Sequence, residues 1–258
     1  MLSARNHVRP TSKHERALLQ DYGAVVGMDE VGRGSLAGPV AVGAVLIDRS
    51  VGRAPAGLAD SKLLTAPRRE QLVAPIRRWA RASAVGWATP SEISTLGLTE
   101  ALRLAGMRAL NLATAGLALV GSTDLGGPTD LAGRADSAHP ADRDTAMSGG
   151  SSLCVLLDGS HDWLSCPPPS LFDEGEISSP QNFDVVTKVK ADLTSRLVAA
   201  ASILAKVARD HYMSSLPDPG YDWARNKGYA SARHTTALRE LGPCGHHRLG
   251  WRLPGVAS

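Results

Sequence analysis

Short apolar runs of strand length alternate with longer helical patterns along most of the chain. Residues 24–28 and 40–47 form two such runs, and the glycine-rich turn 32–38 between them predicts an antiparallel hairpin. Further strands are predicted at 83–88, from Leu153 and from Phe183. This alternation predicts an α/β fold with a mixed central sheet flanked by helices.

The predicted helices lie between these strands. One is predicted over 67–80, begun near Thr65 and kinked by Pro75. Thr89 and Glu92 form a capping-box pattern that predicts a short helix. A longer helix is predicted over 99–117, with an apolar face of Leu98, Leu102, Ala105, Ala109 and Leu112. An Ala-rich pattern over 193–206 predicts another long helix.

Residues 121–152 differ in character from the rest of the chain. This stretch is rich in Gly, Asp, Ser and Thr and contains no aromatic or β-branched apolar residue. Such a composition cannot build a core, so we predict a disordered insertion or a loose surface loop. A docking role is the alternative, although long polar loops need no function because their closure costs little free energy.

Charge is unevenly distributed over the 258 residues, whose formal net charge is +3. From Phe183 onward Lys and Arg outnumber the acidic residues, which suits a polyanionic partner such as nucleic acid. Solvated helix faces can give the same count, so charge alone does not decide the function class.

Cysteine usage and the absence of targeting patterns both favour a cytoplasmic protein. The cysteines are Cys154, Cys166 and Cys244, which are odd in number and lack a C-x-x-C spacing, so neither a disulfide framework nor a zinc site is indicated. The first 20 residues are basic but have no apolar core, and no apolar run is long enough to span a bilayer. We therefore expect no membrane segment.

The run Asp29-Glu30-Val31-Gly32-Arg33-Gly34 follows the first predicted strand. Its two carboxylates can bring hard oxygen ligands to a divalent cation, and its glycines allow a phosphodiester to approach the backbone beside a fixed positive charge. An ordinary surface hairpin with a salt bridge is the alternative for this run taken alone.

Two further carboxylates occupy positions typical of a catalytic cluster. Asp158 ends the apolar run that starts at Leu153, and Asp192 lies at the predicted N-terminus of the long Ala-rich helix. Asp192 could equally be a simple N-cap. If these two converged with Asp29 and Glu30, their mutual repulsion would imply a bound cation.

An ordered set of motifs resembles the ribonuclease HII family from about Val25 to Trp251. The motifs are Asp-Glu-Val-Gly-Arg-Gly at 29–34, Leu-Ala-Asp-Ser-Lys at 58–62, Leu-Asp-Gly at 157–159, Lys-Ala-Asp at 190–192, Ala-Ala-Ala-Ser-Ile-Leu-Ala-Lys at 199–206, Arg209-Asp210, and Gly228-Tyr229 with His234. The resemblance implies a ribonuclease H-like fold with a small C-terminal helical part.

The resemblance also implies a metal-dependent endoribonuclease. Asp29, Glu30, Asp158 and Asp192 are expected to hold two divalent cations, Mg²⁺ or Mn²⁺, that drive phosphodiester hydrolysis. The expected substrates are RNA–DNA hybrids and duplex DNA with embedded ribonucleotides, cut on the 5′ side of the ribonucleotide to leave 3′-hydroxyl and 5′-phosphate ends. Such an enzyme serves the removal of misincorporated ribonucleotides and RNA primers.

Substrate recognition is expected from three groups of residues. In the family the Gly32-Arg33-Gly34 turn senses the 2′-hydroxyl, which distinguishes RNA from DNA. Flanking phosphates are expected to bind Ser61, Lys62 and Lys190. Tyr229 matches the tyrosine that reads the RNA-to-DNA junction, although Ala230 replaces the proline that usually follows it.

These expectations divide the chain into an N-terminal tail over 1–21, a catalytic domain over 22–213 and a C-terminal helical substrate-binding part over 214–258. A monomer is expected, and no clamp-binding tail is recognisable. Two alternatives stay open at this point. One is an inert nucleic-acid-binding module of the same fold, and the other is a ribonuclease H type that prefers long hybrids.

Overall fold

The computed structural model describes residues 10–115, 153–165 and 183–256. Its centre is a five-stranded sheet in the order β3-β2-β1-β4-β5. The strands are β1 Ala24–Val31, β2 Val40–Asp48, β3 Ala82–Ala88, β4 Leu153–Asp158 and β5 Phe183–Lys188. Strands β1, β2 and β3 pair antiparallel, whereas β4 pairs parallel with both β1 and β5. The predicted hairpin and mixed sheet are therefore confirmed.

Helices cover both faces of the sheet. They are α1 Lys13–Asp21, α2 Ala66–Trp79, α3 Pro90–Leu96, α4 Leu98–Ala115, α5 Ala191–Thr194, α6 Arg196–Ser215, α7 Trp223–Asn226 and α8 Ala232–Leu241. Helices α1, α2 and α6 share one apolar core with the sheet, and α4 shares the other. The capping box of Thr89 and Glu92 begins α3 as predicted, with both reciprocal hydrogen bonds formed.

Helix α6 lies unusually close to the centre of the sheet. A Cβ atom added at Gly27 of β1 would come within 2.6 Å of Leu197, and one added at Gly43 of β2 would collide with the carbonyl of Ala201. Glycine in the strands and alanine in the helix therefore let the two elements approach. Because side chains alternate along a strand, Asp29 lies on the same face as Gly27 and points toward α6.

The predicted apolar face of the long helix after β3 was wrong in its last turn. Leu112 is 43% exposed, and the buried stripe of α4 instead ends in Leu110 and Ala113. The sheet fixes this orientation, because α4 packs its alanines directly against β3 at Gly86. The close packing of the α4 backbone against β3 therefore determines which face of the helix is buried, more than the positions of its leucines do.

The prediction of a tail over 1–21 was wrong for residues 10–21. Thr11 forms a parallel bridge with Ser195, and α1 buries Glu15 and Leu19. The segment is ordered because it satisfies the backbone at the start of α6, where the amide of Arg196 donates to the carbonyl of Thr11. Residues 1–9, the insertion predicted at 121–152 and Cys166 lie outside the described residues.

The C-terminal helices close on the loop between β1 and β2. Tyr221, Trp223 and Leu238 form a small core with Leu36 and Ala37 of that loop. Among the described residues no helix is both long and apolar enough to cross a membrane. The division into domains at 213 and 214 stays a prediction.

Candidate active site

Asp29 and Glu30 stand at the end of β1, where the central strand leaves the sheet. Asp29 is 5% exposed, its Oδ1 accepts from the amide of Glu30 at 2.9 Å, and Ser202 of α6 hydrogen-bonds to its carboxylate. Burial, followed by repulsion from Glu30, raises the pKa of Asp29 well above its usual value. Burial also raises the pKa of Glu30, and the nearby Arg33 guanidinium opposes that rise.

Asp158 and Asp192 approach this strand end from β4 and α5. Oδ1 of Asp158 accepts from the amides of Ala191 at 2.6 Å and Asp192 at 3.4 Å, so this carboxylate holds the short turn that carries Asp192. Asp192 is not the N-cap of the long helix. Ser195 caps α6 instead, with its Oγ accepting from the amide of Val198.

The four carboxylates influence one another's charge. Burial contributes most to the raised pKa values, and the charge of Asp158 adds to the rise at Asp29, Glu30 and Asp192. Four anions near one strand end are stable only with compensating charge. Asp158 is therefore close enough to influence the other three carboxylates, and the role of the four as one metal-binding set stays a prediction.

The side chains do not form a closed chelate as they stand. Within the described ranges, no three or more His, Cys, Asp or Glu side chains are gathered in a way that could hold an ion. Lys62 Nζ lies 3.5 Å from Asp192 Oδ2, Arg33 Nη1 lies 3.6 Å from Glu30 Oε1, and backbone amides bind Asp158. The donor set is all oxygen, and the pKa values of Asp29, Glu30 and Asp192 are raised, which nevertheless fits hard divalent cations, for which these side chains would have to turn.

The turn at Gly32–Gly34 forms one wall of the site. Gly32 has a φ of +89°, which only glycine adopts readily, and its amide donates to the hydroxyl of Tyr229 at 3.2 Å. A Cβ added at Gly34 would meet nothing within 4 Å. The fold thus requires glycine at the first position and leaves open space at the second.

Two buried arginines, which the sequence did not single out as site residues, hold this turn from behind. Arg248 donates to the carbonyls of Gly32, Arg33 and Gly38 and to the hydroxyl of Ser35. Arg209 donates to the carbonyls of Ala37, Pro39 and Lys227 and to the same hydroxyl. Burial, with the neighbouring Arg209 charge, lowers the pKa of Arg248 to about 9. Only Arg209 had a sequence signal, as part of the Arg209-Asp210 motif.

A cleft of about 320 Å³ brings Asp29 and Glu30 together with the turn, whereas Asp158 and Asp192 do not line it. Its lining includes Asp29, Glu30, the Gly32–Gly34 turn, Ser61, Lys62, Ser202, Lys206 and Tyr229. A larger cleft of about 580 Å³ lies between α1 and the end of β2, and none of the four carboxylates lines it. We assign the chemistry to the smaller cleft because Asp29, Glu30 and the open turn line it.

The predicted phosphate-binding residues are placed differently from one another. Lys62 is exposed at the rim of the cleft, beside Asp192. Ser61 is buried, and its hydroxyl lies 2.9 Å from that of Ser202, which faces Asp29. Lys190 is exposed beside the Asp158 and Asp192 pair, with a left-handed φ of 56°, but does not line the cleft. Ser61 therefore contacts Ser202, the residue that hydrogen-bonds to the Asp29 carboxylate, and is not exposed at the rim of the cleft where a phosphate would bind.

Comparison with known proteins identifies the family of the chain. A family model described as Ribonuclease HII matches residues 26–114 and 168–253. The curated ribonuclease HII of Streptomyces coelicolor is 39% identical over 246 residues, which covers 94% of this chain and 83% of that relative. The chain belongs to the ribonuclease HII family. As a family member it is an endoribonuclease, a hydrolase with ribonuclease H activity.

Solved structures share the ribonuclease H-like fold. The ribonuclease H2 of Pyrococcus horikoshii is similar with a TM-score of 0.52 at 21% identity, covering 90% of this chain and 95% of that one. Bst-RNase HIII in complex with Mn²⁺ is similar with a TM-score of 0.51 at 20% identity, covering 87% of this chain and 65% of that one. The α/β fold predicted from the sequence is confirmed.

Proposed function

We propose that this ribonuclease HII cleaves the phosphodiester on the 5′ side of a ribonucleotide, in duplex DNA with embedded ribonucleotides or in RNA–DNA hybrids, and leaves 3′-hydroxyl and 5′-phosphate ends. The observation that carries the proposal is one cleft in which the carboxylates Asp29 and Glu30 lie beside the Gly32–Gly34 turn and Tyr229. Such an activity removes misincorporated ribonucleotides and RNA primers during DNA replication and repair.

Asp29, Glu30, Asp158 and Asp192 would hold two divalent cations, Mg²⁺ or Mn²⁺. When bound, these ions supply an activated water and stabilise the charge that develops on the phosphate and on the leaving oxygen. The support for them is the raised pKa of three of these carboxylates and the Mn²⁺ complex of the related RNase HIII. Ser202 orients Asp29, and the amides at the start of α5 orient Asp158.

The Gly32–Gly34 turn is suited to sense the sugar of the ribonucleotide. Its carbonyls at Gly32 and Arg33 are bound from behind by Arg248. A Cβ at Gly34 would point into open space, so without a side chain there a ligand can approach the backbone closely. Backbone groups of this turn would contact the 2′-hydroxyl, the group that separates RNA from DNA.

Lysines at the rim would bind the flanking phosphates. Lys62 is mostly exposed and lies beside Asp192, and Lys190 is exposed directly before the α5 helix that carries Asp192. Both would act as mobile point charges that bind phosphates and so hold the duplex without sequence specificity. The monomer and the cytoplasmic location stay predictions.

Three synthetic duplexes test the proposed function. One carries a single ribonucleotide in DNA, one is a long RNA–DNA hybrid and one is DNA alone, each incubated with Mg²⁺, with Mn²⁺ or with a chelator. We expect the protein to cleave the two duplexes that contain ribonucleotides and to leave the all-DNA duplex intact. Cleavage should require Mg²⁺ or Mn²⁺, and mapping of the ends should place it on the 5′ side of the ribonucleotide. Cleavage of the all-DNA duplex, or no cleavage of either ribonucleotide substrate, would refute the proposal.

Tyr229 provides a test of junction recognition. Its ring lies in the cleft, and its hydroxyl accepts from the amide of Gly32, so it is placed to pack against the sugar that follows the ribonucleotide. Tyr229→Ala should reduce kcat/KM at a single embedded ribonucleotide by about tenfold more than on a long hybrid. Tyr229→Phe, which keeps the ring, should have a smaller effect. Equal losses on both substrates with a lower melting temperature would assign the residue to the fold.

A further inference from the structure

Two buried histidines lie behind Tyr229, outside the cleft and outside the carboxylate cluster. His234 of α8 and His247 are 0% and 1% exposed, and their Nε2 atoms are 3.0 Å apart. The ring of Tyr221 packs edge-on against His247, with centroids 4.7 Å apart. Burial and the adjacent His234 lower the pKa of His247 to about 4, so this ring is neutral at neutral pH.

The partners of the two rings fix which nitrogen carries each proton. The amide of Cys244 donates to His247 Nδ1 at 3.0 Å, so this nitrogen is an acceptor and the proton of the neutral ring is on Nε2. The thiol sulfur of Cys244 lies 3.3 Å from the same Nδ1. His247 Nε2 must then donate to His234 Nε2, which places the His234 proton on Nδ1.

The last bond of this series ends at the predicted junction-reading residue. His234 Nδ1 lies 3.0 Å from the carbonyl oxygen of Tyr229, which can only accept. The series therefore runs in one direction, from the Cys244 amide through His247 and His234 to Tyr229. Each proton position requires the next one in the series. The Cys244 amide, the two imidazole rings and the Tyr229 carbonyl therefore all have hydrogen-bond partners without a charged ring.

The hydrogen bonds of the two histidines link two backbone segments that both bind the β1–β2 loop. The Gly228–Tyr229 turn binds the β1–β2 loop, because the amides of Leu36 and Ala37 donate to the Gly228 carbonyl. The segment carrying His247 binds the same loop, with the Gly38 amide donating to the His246 carbonyl at 2.8 Å. The two histidines supply a link from that segment to the turn.

We propose that His234 and His247 are positioning residues that hold the Tyr229 turn against the Gly32 loop and thereby set the preference for a single embedded ribonucleotide over a long hybrid. This inference rests on the proposed function for its activity readout. Losing His234 leaves two buried groups unpaired, the Tyr229 carbonyl and the His247 Nε2–H, so the turn can shift away from the loop.

Three substitutions of His234 test whether a hydrogen bond to the Tyr229 carbonyl is what matters. In His234→Asn the side-chain amide nitrogen occupies the place of Nδ1 and can still donate to Tyr229. In His234→Gln the amide extends toward His247 and cannot reach that carbonyl, and His234→Ala makes neither contact. We expect the ratio of kcat/KM values, embedded ribonucleotide over long hybrid, to fall by about fivefold in the Ala and Gln variants and by less than about twofold in the Asn variant.

Ile76→Ala is the control for lost stability. Ile76 of α2 is fully buried in the core that α1, α2 and α6 share with the sheet, and the C-terminal helices and the 32–38 loop are not part of that core. It should lower the melting temperature and leave the ratio unchanged. Equal ratios in the Asn and Gln variants, or a ratio for His234→Ala that matches Ile76→Ala, would overturn the proposal.

A spectroscopic measurement on the unmodified protein is independent of cleavage. Long-range ¹H–¹⁵N correlation of the imidazole rings at about pH 7 should show His247 protonated only on Nε2 and His234 only on Nδ1. The opposite tautomers, or a charged ring, would overturn the series even if cleavage is as proposed. Absence of cleavage with the expected tautomers would refute the proposed function and leave the bonding series standing.

Discussion

Arg209 and Arg248 are buried behind the Gly32–Gly34 turn, and both bind backbone carbonyls and the Ser35 hydroxyl. Arranging carbonyl dipoles around a guanidinium stabilises the charge and at the same time fixes the backbone that carries the dipoles. The loop after β1 is therefore held in one shape by its own carbonyls. Its Gly32 amide is left to bind Tyr229.

Replacing Arg248 by lysine should reveal this dependence. The ammonium group cannot reach the carbonyls of Gly32, Arg33 and Gly38 together, so buried acceptors are left unpaired. Arg248→Lys should lower the free energy of unfolding by about 2–4 kcal/mol in urea titrations. Arg233→Lys, at an exposed position of α8, is the control and should change it by less than about 0.5 kcal/mol. Equal stability of the two variants would contradict the assignment.

Neutralising one carboxylate of the cluster separates catalysis from binding. Asp192→Asn keeps the size of the side chain and removes an anion that repels both Asp158 and the substrate phosphate. Turnover should fall by about 10²-fold or more in Mg²⁺, while substrate affinity stays equal or increases. Asp29→Asn should behave in the same way.

Steady-state kinetics and a binding titration of the embedded-ribonucleotide duplex provide these measurements. Glu100→Gln, at a surface carboxylate paired with Arg103, should leave both quantities unchanged. Near-normal turnover of Asp29→Asn would remove that residue from the metal-binding set.

At the scale of elements, the start of α6 is shared between three parts of the chain. Ser195 caps the helix, Thr11 pairs with Ser195, and Glu15 of α1 accepts from the Ser195 hydroxyl at 3.0 Å and from the Leu197 amide at 3.3 Å. A carboxylate at a helix N-terminus also interacts favourably with the helix dipole. Helix α1 thereby fixes the backbone directly after the turn that carries Asp192.

The stability contributed by Glu15 should depend on pH. Burial raises the pKa of Glu15 above its usual value of 4.5, so the folded protein holds this proton more tightly than the unfolded chain. The resulting stabilisation is complete below that usual value and is lost as the pH rises through the folded pKa. Glu15→Gln, whose amide can serve both partners, should therefore gain stability relative to the unmodified protein as the pH rises.

Urea unfolding of both proteins at several pH values between about 4 and 7 measures this difference. Glu15→Ala is the control, because it leaves the Leu197 amide without its acceptor and should be less stable than the Gln variant throughout. A difference between the unmodified and Gln proteins that does not change with pH would contradict the raised pKa.

At the scale of the whole molecule, the parts that could be predicted were those encoded by local patterns. The β1–β2 hairpin and the capping box at Thr89 each follow from neighbouring residues. The four carboxylates were also marked by local motifs, and their metal-binding role stays a prediction. Arg248 and His247 could not be assigned from the sequence, because their partners are separated by long stretches of chain. Arg248 binds Gly32, which is 216 positions away. Contacts of this kind depend on tertiary packing, which no short motif describes.

The insertion predicted at 121–152 connects α4 with β4 and lacks residues that could form a core. Replacing it by a linker of about eight Gly and Ser residues should raise the free energy of unfolding by about 1 kcal/mol or less, because loop-closure entropy depends only weakly on length. Cleavage of a short duplex with one ribonucleotide should be nearly unchanged. The linker variant and the unmodified protein can be compared by urea unfolding and by kcat/KM on that duplex. A large loss of cleavage at unchanged stability would show that the insertion contributes to substrate binding, as its alternative docking role requires.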